Sequence, residues 1–215
     1  YRRFRDGRYQ AGRLRVRPTN QSEDGGLSLA NSNQQTANSM NTKHKLTIVA
    51  AMGENRVIGN KGALPWDMPA DLAHFKAVTL GKPVIMGLNT YKAIGRLLPG
   101  RKNIILSHVQ ELIDGAIVAG SIDEALAAVN DVDPSSLEGP SYERTNEAMV
   151  IGGQRIFEQF LPLVDRIELT VIHTSPEGDT FFPELAGDQW TITDREKHSS
   201  DERNKYDYTF LTYDR

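Results

Sequence analysis

The sequence predicts a single α/β domain with a mostly parallel central sheet flanked by helices and antiparallel strands at its C-terminal end. Two observations lead there. From residue 46 onward, short apolar runs alternate with longer helical patterns, the order that a parallel sheet with crossover helices requires. The last two apolar runs are separated only by a polar, charged segment, which suits an antiparallel pair.

The elements follow in order. Residues 46–52 form an apolar run fit for a buried strand. After a glycine-punctuated loop, 68–80 reads as a helix with Pro69 in its first turn, where a missing N–H costs nothing. Residues 83–86 are a second buried strand, followed by a helix near 90–94; 103–106 and 116–118 are a third and a fourth. Ser121 caps a helix running through Val129, with Glu124 completing a capping box. A polar loop, 131–146, precedes a strand at 148–151 and a helix at 154–160. Strands at 166–173, around 190–193 and at 206–213 close the domain.

Composition narrows the function. A chain of 215 residues, 39% hydrophobic and 25% charged, suits one soluble globular domain with some chain left over. No apolar run approaches the ~18 residues that span a bilayer, so no membrane role is expected. The absence of cysteine excludes disulfides, thiolate catalysis and cysteine-based zinc sites, and permits a reducing compartment. A net charge of −3 argues against general nucleic-acid binding. The charge is uneven: residues 1–40 carry seven arginines against three acids, and the rest carries 18 basic against 25 acidic groups. Residues 1–43 read as a basic, polar extension with too little apolar surface to offset its ordering entropy. A transit peptide, a basic arm, and a disordered extension or over-long start are all open. The last is favoured because residue 1 is not methionine and Met40 lies just ahead of the first strand. The domain is expected to be 44–215.

Three stretches carry chemistry. The first is 59–76, GNKGALPWDMPADLAHFK, a loop with an apolar tip that enters a helix. Asp71 and Phe75 share one face of that helix, and Leu72 lies about 100° round. A carboxylate flanked by Leu72 and Phe75 at a pocket mouth suits the paired N–H groups of a flat amidine-like ring; alternatively, Asp71 only complements the helix dipole. The second is the run Ile151, Gly152, Gly153, Gln154, Arg155 between a strand and a helix, where glycines let a phosphate approach backbone N–H groups. It is not the GxGxxG fingerprint, and Arg155 could equally be a surface charge. The third is the turn at Pro99 and Gly100, with Arg96 and Arg101 on either side as candidates to grip a carboxylate, or simply as a solvated basic turn. His44, His74, His108, His173 and His198 lack metal-ligand spacing and are read as non-catalytic, with His108 near a cofactor; no metal is expected.

Together the motifs AAMGENRVIG, LPWDMPADLAHFK, KPVIMG, IGRLLPGRKNIILS, MVIGGQRIFEQFLP, EGDTFFP and YDYTFLTY span the whole of 45–215 in order. In this the chain resembles the dihydrofolate reductase family, most closely its bacterial chromosomal type. The resemblance implies a dihydrofolate reductase-like fold and NADPH-dependent reduction of dihydrofolate. It makes Asp71 the group that binds the pterin edge and promotes protonation of N5, supported by Thr170 through a water-linked bond. Val49, Leu72, Phe75, Ile94 and Leu98 would line the pterin and benzoyl cleft. Arg101 would clamp the glutamate α-carboxylate, with Arg96 nearby.

For the cofactor, the resemblance implies a mobile lid at 57–66 with Leu64 at its tip. It places Ala51, Val57, Ile58, Gly59, Asn60, Lys61, Gly62, Ala63, Ile151, Gly152, Gly153, Gln154, Ile156 and Phe157 around the nicotinamide and pyrophosphate. Asn89, Thr90, Ser107, His108 and Arg155 would serve the adenosine end. A cis Gly152–Gly153 peptide is implied. A cytoplasmic monomer is expected, with dihydrofolate and NADPH as its partners. Two departures stand out: Leu88 occupies a position where the family usually has Arg or Lys, which weakens the case for tight NADPH binding, and the loop 131–146 is long. The alternatives are a riboflavin-pathway reductase of the same fold and a folate binder without turnover.

Overall fold

The computed structural model describes residues 45–109, 111–130 and 147–215. The expectations for 1–43 and for the loop 131–146 lie outside the described residues. In chain order, β1 (Lys45–Gly53) and β2 (Val57–Gly59) precede α1 (Pro69–Thr79), and β3 (Val84–Gly87) precedes α2 (Leu88–Ile94). β4 (Asn103–Leu106), β5 (Ile117–Ala119) and α3 (Ile122–Asn130) follow, then β6 (Glu147–Gly152) and α4 (Gln154–Phe160). β7 (Arg166–Ile172), β8 (Thr180–Phe181), β9 (Thr191–His198) and β10 (Tyr208–Asp214) complete the domain.

The main sheet has the order β5-β4-β3-β6-β1-β7-β10-β9. Neighbours from β5 to β7 are parallel, and β10 runs antiparallel to both β7 and β9. The expected mostly parallel sheet with an antiparallel end is therefore present. Continuous apolar runs belong to strands buried on both faces, and successive side chains take opposite faces. Ile48, Ile85, Ile104 and Val150 pack with Phe157 and Phe160 of α4 and Ala125 of α3. Their chain neighbours Val49, Met86, Ile105 and Met149 pack with Phe75 of α1 and Tyr91 of α2.

The structure differs from the sequence reading in three places. β2 and β8 form a separate two-stranded sheet within segments read as loop. They are too short to show any alternation, and glycines make their approach possible: a Cβ at Gly178 would fall 2.2 Å from Val57 Cγ1. β9 continues to His198, well past the expected end near residue 193. Its charged residues suggested a loop, but they suit an edge strand exposed to water, where charge discourages further pairing. The cap of α3 is displaced: the Glu124 N–H donates to Ser121 Oγ (3.1 Å) as expected, but its carboxylate accepts from the Gly120 N–H (2.8 Å). Among the described residues, no helix is long and apolar enough to cross a membrane.

Candidate active site

The carboxyl ends of the parallel strands open onto one cleft of about 1520 Å³. Leu88 follows β3, Ser107 follows β4, Gly120 and Ser121 follow β5, and Gly153 and Gln154 follow β6; all line this cleft. Open parallel sheets bind ligands there because the strand ends leave loops and helix starts exposed. Val49 and Ala51 of β1, Thr170 of β7, and Asp71, Leu72 and Phe75 of α1 form the other half. A single small-molecule pocket occupies roughly 300–1,000 Å³, so this cleft has room for two ligands side by side.

Asp71 is the buried acid of the cleft, only 7% exposed. Burial pushes its carboxyl above the ordinary carboxylate range, against the opposing pull of the Thr170 side chain and of His74. Thr170 reaches this point because β1 and β7 pair in register, Ala51 beside Thr170. Its side chain favours the ionised form of the carboxyl. A carboxyl held this way against apolar walls stays available for a proton and for paired N–H donors.

Arg101 is buried too, at 8% exposure. Its Nη1 donates to Thr79 Oγ1 (2.9 Å) and its Nε to the Pro99 carbonyl (3.1 Å), and the guanidinium lies 6.0 Å from the Phe75 ring centre. Among the described residues no acidic side chain forms an ion pair with it. Burial accordingly disfavours its charged form. An unpaired buried guanidinium at the cleft wall calls for an anionic ligand. Arg96 lines the same cleft but is exposed.

At the opposite end the Gly152–Gly153 peptide is cis and Gly152 has φ +111°. A Cβ at Gly152 would fall 3.0 Å from Phe157 Cζ, and one at Gly153 3.1 Å from Thr90 Oγ1. Gly153 therefore keeps open a cradle in the cleft that a side chain would fill, while Gly152 lets Phe157 pack against the backbone behind it. The segment 57–66, expected to be a lid, begins as β2, and Asn60 and Ala63 exchange backbone hydrogen bonds (2.9 and 3.0 Å). The Lys61 N–H donates to Asp179 Oδ2 (2.9 Å). Leu64 is 49% exposed above the cleft.

All the expected substrate residues line the cleft, as do most of the cofactor residues. Val57, Asn60, Lys61 and Gly152 do not. Val57 is buried opposite Phe181, and Gly152 is buried under Phe157. Asn60 and Lys61 belong to a turn tied to Ala63 and Asp179. Sequence reasoning missed His74, Gly120 and Ser121, which also line it. His74 stands three residues after Asp71, a spacing that puts both on one helix side, and it stacks on Phe210 at 3.9 Å. Trp66, at the end of the segment 57–66, has its Nε1 buried without a hydrogen-bond partner among the described residues. Among those residues there is also no cluster of three or more metal-ligating side chains.

Known proteins agree with this geometry. A family model described as dihydrofolate reductase matches residues 45–215. The chain belongs to the dihydrofolate reductase family. It is 42% identical to dihydrofolate reductase type 3 of Salmonella typhimurium over 171 residues, covering 79% of this chain and 98% of that relative. It is likewise 42% identical to the dihydrofolate reductase of Haemophilus influenzae, covering 77% and 95%. A solved dihydrofolate reductase from Enterococcus faecalis, complexed with NADP(H) and RAB-propyl, superposes with a TM-score of 0.70 at 31% identity, covering 80% of this chain and 97% of that one. These dihydrofolate reductases are spanned almost end to end, so the riboflavin-pathway alternative is not favoured.

Proposed function

We infer that this protein reduces 7,8-dihydrofolate to 5,6,7,8-tetrahydrofolate with NADPH. The observation that carries the reading is the buried carboxyl of Asp71, set among apolar walls in a cleft with room for a second ligand. When bound, NADPH supplies the hydride. Asp71 accepts the paired N–H groups of the pterin edge, fixes the ring and promotes protonation at N5. Thr170 steadies the carboxyl. Val49, Leu72, Phe75, Ile94 and Leu98 hold the flat ring and the benzoyl group, and Arg101 pairs with the glutamate α-carboxylate. Gly153, Gln154, Thr90, Ser107 and His108 hold the dinucleotide, and the lid with Leu64 excludes water. Following NADPH absorbance with dihydrofolate tests the reading, and no turnover at saturating substrate would overturn it.

The cofactor end lacks one cation. Leu88, the first residue of α2, leans on the cluster of Met86 and Val49. Lys92 is engaged with Glu111 at 3.5 Å. Arg155 is an exposed residue of the cleft rim without an ion pair among the described residues. A well-formed contact from an added arginine contributes ~1.5–3 kcal/mol, or roughly tenfold to a hundredfold in affinity. Leu88→Arg is therefore expected to tighten NADPH binding with little effect on dihydrofolate. Equal dissociation constants within twofold, by fluorescence titration, would show that the missing charge is already compensated.

We also propose that residues 44–215 form the working domain and act as a cytoplasmic monomer without nucleic-acid partners. The family match begins at residue 45. Deleting residues 1–39 is expected to leave kcat and Tm unchanged, and a fall in Tm of several degrees would show that the segment packs on the domain.

A further inference from the structure

The helix carrying Asp71 is anchored on its apolar side by partly buried residues, Phe75 and Val78 against one cluster and Ala70 against another. Asp71 and Thr79 are its only fully buried residues, and Leu72 is 54% exposed. Its C-terminal end is tied through Thr79 to Arg101. Its N-terminal end has no cap of its own: Met68 holds the cap position without a side-chain hydrogen bond, and Pro69 has no N–H to satisfy. The first amide that needs an acceptor belongs to Ala70, immediately before Asp71. That acceptor comes from 134 residues away, where Asn204 Oδ1 takes the Ala70 N–H at 2.9 Å.

Asn204 is held in turn. It is 5% exposed, and its Nδ2 donates to both carboxylate oxygens of Asp201 at 3.0 Å. Its backbone N–H donates to Asp201 Oδ1 (2.7 Å), and its carbonyl accepts the Asp201 N–H (2.9 Å). Asp201 Oδ1 also accepts the Arg203 N–H at 2.7 Å. The loop between β9 and β10 is thus a bracket formed independently of α1, with a single acceptor presented to the first turn of that helix.

We propose that Asn204, fixed by Asp201, is a positioning residue for Asp71, setting how deeply the acid sits in the cleft. The proposal rests on the reading of Asp71 as the group that promotes protonation. The groups facing that carboxyl are Thr170 from β7 and His74 from its own helix, with Lys76 and Arg101 elsewhere in the cleft; none of them satisfies the Ala70 amide. Without Asn204 the first turn frays, and water returns to the carboxyl. The burial that raises its pKa is then relieved, so the pKa falls. The dinucleotide end, built after β3, β4 and β6, is untouched.

The test compares pH profiles of hydride transfer in the full chain for the parent, Asp71→Asn and Asn204→Ala, with NADPH titrations and melting curves alongside. Asn204→Ala is expected to raise the KM for dihydrofolate about fivefold, as the loss of a helix cap implies. It is expected to move the rate-limiting ionisation down by ~0.5–1 pH unit and to leave the NADPH Kd within twofold. The exchanged pair Asn204→Asp with Asp201→Asn keeps an acceptor for Ala70 and a donor–acceptor match between the two side chains, and is expected to restore the parental profile. If Asn204→Ala does not fold, Asn204→Ser, whose hydroxyl is too short to span the gap, is measured instead with the same expectation. A lowered Tm with an unmoved profile and KM would make Asn204 merely structural and overturn the proposal alone. A parent without dihydrofolate turnover would overturn the functional reading, and the proposal with it.

Discussion

Asp71→Asn is expected to abolish most turnover at neutral pH while holding or raising the melting temperature. The amide keeps the shape of the carboxyl but loses its charge and its second acceptor, so it cannot take both N–H groups of the pterin edge. Removing positioned proton supply typically costs ~10²–10⁴ in rate. The stability effect runs the other way because burial raises the Asp71 pKa. A carboxyl whose folded pKa lies above its unfolded value supports the fold at low pH, and that support is lost as pH rises through the folded pKa. At neutral pH the parent therefore carries the cost of a buried carboxylate, which the amide removes. The same shift makes parental turnover decline with rising pH at a higher pH than an ordinary carboxylate would give, and this limb should vanish in the variant. Stopped-flow rates across pH with thermal melts check both halves. Residual activity within threefold of the parent would remove Asp71 from its role.

The features that were legible in the sequence share a physical character. β1, β3, β4 and β6 are buried on both faces, so their residues are apolar without interruption and visible as runs. Pro69 and Ser121 mark helix starts because capping chemistry is local. What was not legible depends on partners far along the chain. β2 and β8 exist through each other and through the glycines that let them meet. β9 is a strand because β10 pairs with it, not because its charged residues favour one. The site divides in the same way. Asp71 alone was better explained as a helix-dipole residue; only the fold buries it in the wall of the cleft that Thr170 also lines. Arg101 alone was a basic turn, and only the fold buries it beside Phe75. Ser121 enters the cleft because β5 lies at the sheet edge with its carboxyl end toward it, a consequence of strand order that composition does not carry.

The second large effect belongs to Arg101. Arg101→Leu is expected to raise the KM for dihydrofolate ~100-fold, with less than a tenfold loss in kcat and no change in NADPH affinity. The guanidinium is buried and lacks an acidic partner among the described residues, so a ligand carboxylate meets a charge already stripped of water. Truncating one side of such a pair costs ~2–5 kcal/mol, and about 1.4 kcal/mol is a factor of ten. Stability should change little. Thr79 Oγ1 loses the Arg101 donor but keeps its own bond to the Phe75 carbonyl (2.7 Å), while the cost of a buried cation disappears. Loss of packing and loss of charge pairing are separated by the substrate. A dihydrofolate analogue whose α-carboxylate is replaced by a carboxamide keeps the shape but offers Arg101 no α-carboxylate to pair with, so its KM should be nearly the same in parent and variant. Equal penalties for both substrates would mean that Arg101 shapes the cleft through Thr79 and Phe75, and that the carboxylate is held elsewhere, with Arg96 the next cation on the same wall.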